Sequence, residues 1–275
     1  MEKKSFKKKL VFKIPLQMTL LLVGVMLVIG IMMSVLLSKQ MTAAVESQID
    51  LIAQSNANKA IEYLSIMEAR GQALADEIAG YDDLDEATLD KMMVNSAIAT
   101  LDDERIFATF ISFEPNSYFA NTPNGRSYYA YRNGEESDMV IEDENYSEEE
   151  YYTLSKETSS THLIEPYEFT LDNGEAVWLI SISVPIFDKN DKFVGIVNCD
   201  LKVDTLNSLE YDLGGYKTSF SYILTNIGTY VTNTADKTQV GSTYAGEDSL
   251  SQTILTAVAG GEQILLNGNN AVHGG

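Results

Sequence analysis

Side chains able to do covalent or metal chemistry are sparse in this chain of 275 residues. There are two histidines, His162 in a strand-like run and His273 close to the last residue, and a single cysteine, Cys199. One thiol makes an intrachain disulfide impossible and leaves no thiolate cluster for a metal. Cys199 lies in an apolar run with neither histidine near it in sequence, which reads as a small core residue rather than a nucleophile. No Gly-x-Ser-x-Gly, His-Glu-x-x-His or metal-spaced His/Cys set is present. Carboxylates are so numerous, 40 in all, that pairs of them identify nothing. Asp188-Lys-Asn-Asp191 opens like a calcium loop but lacks the glycine at the sixth position and the acid at the twelfth, so it predicts a hairpin turn. These residues nominate no catalytic group, no metal and no cofactor, and they speak against an enzyme.

Binding chemistry is better represented. Asp200 stands in Gly-Ile-Val-Asn-Cys-Asp-Leu-Lys-Val, an otherwise apolar strand pattern. Its parity matches Asn198 and Lys202 rather than Val197, Cys199 and Leu201, so it faces the polar side, toward either solvent or a pocket. Tyrosines cluster at Tyr128-Tyr129 and Tyr131 beside Arg126, at Tyr151-Tyr152, and at Tyr167. Each of them fits a core or rim aromatic as well as a pocket wall. Trp178, the only tryptophan, falls mid-strand and is expected in the core.

The element that must position all of this is an uncharged run from Ile14 to Leu37. At about 1.5 Å of rise per residue, some twenty such residues cross a hydrocarbon layer of roughly 30 Å. A cleaved signal peptide has a shorter apolar core and a small-residue cleavage site, which does not follow Leu37. Lys3, Lys4, Lys7, Lys8, Lys9 and Lys13 precede the run and predict a cytoplasmic N-terminus, with everything after Lys39 outside. Of 19 basic and 40 acidic residues, six lysines and Glu2 precede the run, which leaves 13 against 39 beyond it. So acidic a surface excludes nucleic acid and anionic lipid as partners of the outer part.

From Gln40 to about Ile78 there is no proline and one glycine. Ala57, Ala60, Leu64, Met67, Gly71, Leu74 and Ile78 alternate in steps of three and four and form one helical stripe. That stripe pairs with a second copy of itself or docks on the chain's own sheet. Gly80-Tyr-Asp-Asp83 ends the helix, and Asp85 or Thr88 caps a shorter one through Thr100. Strand patterns follow at Ile106–Phe113, Ser127–Arg132, His162–Phe169, Glu175–Phe187 and Phe193–Val203, with turns at Asn121–Gly125, Asn133-Gly134 and Asn173-Gly174. Ser147-Glu-Glu-Glu has the pattern of a capping box for a short helix carrying Tyr151 and Tyr152. A pseudo-repeat pattern then begins, with strands expected over Tyr216–Thr225 and Thr229–Thr234, a helix over Leu250–Val258, and a further strand starting at Gln263–Leu266. The second lobe reads as unfinished and the chain as a fragment.

Ile111-Ser-Phe-Glu-Pro-Asn116, Gly125-Arg126, Tyr151-Tyr152, Ile164-Glu-Pro-Tyr167, Pro185-Ile186 and Phe193-Val-Gly-Ile-Val-Asn-Cys-Asp-Leu201 stand together in one order. In that order the chain resembles the double-Cache sensor domains, tandem PAS-like ectodomains of bacterial methyl-accepting chemotaxis proteins. Ser221-Tyr-Ile-Leu-Thr-Asn-Ile-Gly228 is similar to the opening of their membrane-proximal module. The resemblance implies an α+β fold in which a transmembrane helix continues into a long helix, followed by tandem PAS-like modules with antiparallel sheets, the second incomplete. It divides the chain into a basic tail (1–13), a membrane helix (14–37), a stalk helix and short helix (38–100), a distal module (101–208) and a truncated proximal module (209–275).

The resemblance also implies that a small ligand binds in the distal module and that a shift passes through the helices to a signalling domain in the cytoplasm. The ligand's ammonium would meet Asp200, with Tyr152 as the tyrosine of a pocket-helix pair and Tyr167 as the strand tyrosine. Tyr151 stands where amino-acid-binding members carry tryptophan, and Glu149 where they carry arginine. A glutamate repels a carboxylate, so the implied ligand is an amine or an amino acid, with amines and polyamines the better match to the charge. Tyr129 and Arg126 are further candidates for the pocket wall. The implied partners are that ligand, the membrane and a second copy of the chain. A histidine kinase or cyclase sensor is the alternative output, and a membrane-anchored enzyme or an adhesive surface protein is the remaining contrast.

Overall fold

The computed structural model describes residues 2–261 apart from 82–83, 135, 144, 172–173, 210–214, 216–219 and 247–248, and for residues 2–12 it describes the backbone alone. The chain forms two compact units, Met1–Ala53 and Gln54–Gly275. A first helix, α1 (Glu2–Ala79), is the longest element. In the first unit its side chains from Lys13 to Val45 are all exposed. The run from Ile14 to Leu37 is long and apolar enough to cross a membrane by length and composition.

In the second unit Ala60, Met67, Gly71, Leu74 and Ile78 of α1 are buried and Leu64 is half-buried, so this part of the stripe docks on the chain's own sheet. Ala57 departs from the expectation: it is exposed, and Asn56 takes the buried place one residue earlier. Gly71 sets how closely the helix approaches. A Cβ there would stand 3.0 Å from Val184 Cγ2 and 3.6 Å from Cys199 Sγ. Helix α2 (Glu86–Thr100) starts at Asp85, whose carboxylate accepts from the Thr88 backbone N–H at 3.0 Å and the Thr88 hydroxyl at 2.7 Å. Its buried residues Leu89, Met93 and Ala97, four apart, make the stripe that faces the sheet.

Six strands form one antiparallel sheet: β1 (Ala108–Phe113), β2 (Arg126–Asn133), β3 (Glu136–Glu142), β4 (His162–Thr170), β5 (Ala176–Phe187) and β6 (Phe193–Lys202). Their order is β3-β2-β1-β6-β5-β4, so β1 and β6 lie at the centre. Alternation along each strand then sorts residues between two faces. Ile111, Tyr128, Ala130, Ile180, Ile182, Val184, Val197, Cys199 and Leu201 join the core that includes α1 and α2. Phe110, Tyr129, Tyr131, Ser181, Asn198 and Asp200 face the other way.

Several boundaries differ from the sequence expectation. Strand β3, rich in acidic residues of low strand propensity, has no counterpart in it. Val203, expected to close the last strand, instead begins a short helix, α4 (Val203–Asn207). Helix α3 (Glu150–Thr158) does carry Tyr151 and Tyr152, but no capping box forms at Ser147. Its hydroxyl donates to Asn145 Oδ1 at 2.6 Å, and the N-cap residue Glu149 has no side-chain cap bond. Trp178 is half-buried against the core rather than inside it, and its ring fills the space where a Cβ on Gly241 would stand. Gly241 has φ +76°, so a glycine there answers both the backbone and the ring.

The C-terminal part contains β7 (Tyr222–Leu224) paired with β8 (Tyr230–Asn233), a 3-10 turn at Lys237–Gln239 and helix α5 (Ser249–Gly260). Val231 and Val240 enter the main core, and the Thr225 hydroxyl donates to Glu165 Oε2 at 2.9 Å. The start of the expected strand at Tyr216, the strand at Gln263–Leu266 and His273 lie outside the described residues, as do Asp82, Asp83 and Asn173 of the expected turns.

Candidate functional site

Asp200 is placed by the register of the central strands. On β6 it stands opposite Ala108 of β1 on one side and Ser181 of β5 on the other. The small Ala108 leaves space above the sheet, and the Ser181 hydroxyl donates to Asp200 Oδ1 at 2.6 Å. Ser181 has one hydroxyl proton and gives it to the carboxylate, so Tyr167, 2.9 Å away, must donate its own hydroxyl to Ser181 Oγ. Tyr167 reaches this face through a bulge. Ile164 pairs with Ser181 but Tyr167 pairs with Leu179, so β4 spends one residue more than β5 between the two pairs. The extra residue falls at Glu165-Pro166, where a proline on an edge strand has no ladder bond to lose.

These residues border a cavity of about 310 Å³. Six aromatic side chains line it: Phe110, Tyr129, Tyr131, Tyr151, Tyr167 and Phe169. Asp200, Asn198 and Glu142 supply its polar groups, Val140 and Leu171 complete it, and none of the eleven lining residues is Lys, Arg or His. Asp200 is 3% exposed. Burial pushes its carboxyl from the ordinary 3.8 up to about 7, against the opposing pull of the Ser181 hydrogen bond. The Tyr167 hydroxyl is pushed above its usual range by burial and then by the Asp200 charge. Tyr151 shifts the same way, first from burial, then from Glu149 and Asp200. Both phenols therefore stay protonated at neutral pH, with the Tyr167 proton committed to Ser181. A partly dry carboxylate ringed by aromatic faces is suited to an organic cation.

Residues 91–208 match the profile described as methyl-accepting chemotaxis protein-like, first PDC sensor domain. Over this segment the chain is similar to PDC sensor domains. The likeness extends to solved structures over most of the chain. The periplasmic sensory domain of the Campylobacter jejuni chemoreceptor Tlp1 is 14% identical with a TM-score of 0.62, covering 80% of this chain and 84% of that one. The extracellular domain of mmHK1S-Z2, assigned to the histidine kinases, is 18% identical with a TM-score of 0.58, covering 77% and 80%. The ligand-binding domain of the Pseudomonas aeruginosa PAO1 amino acid chemoreceptor PctC, in complex with GABA, is 17% identical with a TM-score of 0.52, covering 73% and 79%. At these identities the likeness is one of fold. No curated protein matches the chain.

Within the segment similar to PDC sensor domains the structure brings Asp200, Tyr167, Tyr151 and Tyr129 to one cavity. Tyr152 and Arg126 lie elsewhere. Tyr152 is fully buried beside Tyr146 and Ile196, and its hydroxyl donates to Glu114 Oε2 at 2.6 Å. Lys156, one turn on, donates to the other oxygen of Glu114 at 2.7 Å, so this face of α3 anchors the helix instead of lining the site. Arg126 shares its parity with Tyr128, on the helix-covered face. There it pairs with Asp90 of α2 at 2.8 Å, donates to the Tyr128 hydroxyl at 3.0 Å and lies over the Phe119 ring. Tyr128 in turn donates to Asp90. Glu149 is exposed at the start of α3.

Phe110, Val140, Glu142, Phe169, Leu171 and Asn198 are lining residues that sequence reasoning did not single out. For Asn198 the signal was present, since its parity on β6 is that of Asp200. Val140 and Glu142 required knowing that β3 is a strand, which their acidic context hides.

Proposed function

We propose that this chain is the sensory region of a transmembrane chemoreceptor and that the cavity of its PDC domain binds a small amine or amino acid through the ligand's ammonium. The observation that carries this reading is the buried Asp200 carboxylate in a cavity walled by aromatic rings, with no basic side chain among the lining residues. Removing a carboxylate from water without a cation is costly, and a bound ammonium recovers that cost. Tyr151, Tyr129 and Tyr167 present aromatic faces and phenol groups to the same ligand. GABA, the ligand in the PctC complex, carries such an ammonium.

In this reading residues 1–13 are cytoplasmic, 14–37 cross the membrane, 38–100 form the stalk and short helix, and 101–208 and 209–275 are the distal and proximal modules outside. Two copies assemble as a homodimer. Ligand binding shifts the helices and signals to a cytoplasmic output that controls chemotaxis. A histidine kinase output is the second reading, favoured by the shared fold of mmHK1S-Z2, and the chemotaxis-type profile over 91–208 weighs for the first. Isothermal titration of the chain in lipid nanodiscs against a panel of amines and amino acids tests the site. Heat from at least one of them, lost in Asp200→Ala, is the expected result. Binding that survives Asp200→Ala unchanged, or no binding by any member, removes the assignment.

A further inference from the structure

The acceptors of the cavity narrow the class of ligand. Asn198 and Asp200 are two residues apart on β6, so their side chains leave the same face from positions about 7 Å apart, and both line the cavity. Asn198 is 4% exposed, and its Oδ1 is buried with no hydrogen-bond partner among the described residues. Its cross-strand neighbours on that face do not supply a donor. Phe110 has none to give, and the Ser183 hydroxyl donates to the Tyr151 carbonyl at 2.7 Å. A buried acceptor left in this state is satisfied by a donor that arrives in the cavity. Asp200 adds a second acceptor, since Ser181 occupies only one of its oxygens. Glu142 adds a second carboxylate to the lining.

We infer, resting on the ammonium-binding reading above, that the cavity selects a primary amine lacking a carboxylate, and that Asn198 Oδ1 shares the N–H donors of one ammonium with Asp200. A primary ammonium carries three N–H donors and serves both acceptors at once. A trimethylated ammonium fits aromatic walls equally well but has no N–H, so it leaves Asn198 Oδ1 buried and unsatisfied. An α-amino acid brings a carboxylate into a cavity holding Asp200 and Glu142 and lined by no basic residue. The rings of Phe110, Tyr131 and Phe169 are left to contact an aliphatic or aromatic body.

Three probes with one carbon skeleton isolate these effects: pentylamine, norleucine (pentylamine with an α-carboxylate) and N,N,N-trimethylpentylammonium. Each is titrated at pH 8 into the chain in nanodiscs of neutral lipid. Pentylamine is expected to bind at least about tenfold more tightly than either of the others, the loss that one unsatisfied buried acceptor or one unpaired carboxylate produces. Asn198→Leu should weaken pentylamine about tenfold and bring the primary and trimethylated probes to within about threefold of each other. Asn198→Ala is the second variant, and a melting temperature close to wild type certifies either one as folded. Norleucine or the trimethylated probe binding as tightly as pentylamine overturns the inference without any variant being needed. Selectivity that persists in both Asn198 variants overturns the role of Asn198. If all three probes bind alike and all are lost in Asp200→Ala, the inference fails while the ammonium site stands. No binding by any of the three also defeats it, and the wider panel then decides the site itself.

Discussion

Replacing Asp200 by asparagine separates the energetic cost of this carboxylate from its role in binding. Its carboxyl rises from 3.8 in the unfolded chain to about 7 in the folded protein, because burial disfavours the charged form more than the Ser181 hydrogen bond favours it. The folded state therefore holds the proton more tightly than the unfolded chain does. The associated stability is fully present below pH 3.8, falls as pH rises, and is gone above pH 7. At about 1.4 kcal/mol per pH unit, the ionised carboxylate costs the ligand-free protein on the order of 4 kcal/mol at pH 8. Asparagine keeps an oxygen that accepts from Ser181 and carries no charge at any pH. Asp200→Asn should therefore melt higher than wild type at pH 8, by roughly 10 °C for a domain of this size, and by little or nothing near pH 4. The measurement is thermal unfolding of both proteins by circular dichroism at half-unit steps from pH 4 to 8.5. Ligand binding should be lost in the same variant. Equal melting temperatures at pH 8, or a gain of the same size at pH 4, would refute the argument that desolvation of this carboxylate is the cause.

The same titration governs affinity. A cation binds the ionised carboxylate, so pentylamine affinity should fall about 30-fold between pH 8 and pH 5.5, and a flat profile would show that Asp200 carries no part of the binding. Gly71→Leu drives a side chain into Val184 and Cys199 where α1 meets the sheet. It should cost about 1–3 kcal/mol or more by denaturant titration, and an unchanged midpoint would count against that docking. Asp85→Ala removes the cap of α2 and both of its bonds to Thr88. A loss of about 1 kcal/mol with ligand affinity unaltered is expected, and a change in affinity without loss of stability would contradict a purely capping role.

Where a property depends on near neighbours in the chain, it could be read in advance. The Asp85 cap, the helical stripe through Met67, Gly71, Leu74 and Ile78, and the hairpin closed by Asp188 all rest on sequence steps of four residues or fewer. Asp188 Oδ1 accepts from the backbone N–H groups of Asn190 at 2.8 Å and Lys192 at 3.0 Å. Ser147 shows the limit of such reading, since its hydroxyl found Asn145, a competitor as local as the expected cap. Strand alternation would also have separated Tyr129 from Arg126, because three residues is an odd step and puts the two on opposite faces. Tyr151 and Tyr152 are adjacent on one helix, and nothing local tells which of them points at a cavity.

What the sequence by itself determined is therefore the set of periodic features: a run without charge long enough for a bilayer, a helical stripe, and the polar parity of Asn198 and Asp200 on β6. Only the tertiary structure decided that Ser181 and Ala108 flank Asp200, that Tyr152 turns to Glu114, and that a bulge at Glu165-Pro166 brings Tyr167 round to the carboxylate. The reason is physical. Alternation fixes which residues share a face of a strand, whereas strand order and register depend on contacts between segments far apart in the chain. One extra residue in a ladder reverses the facing of everything after it.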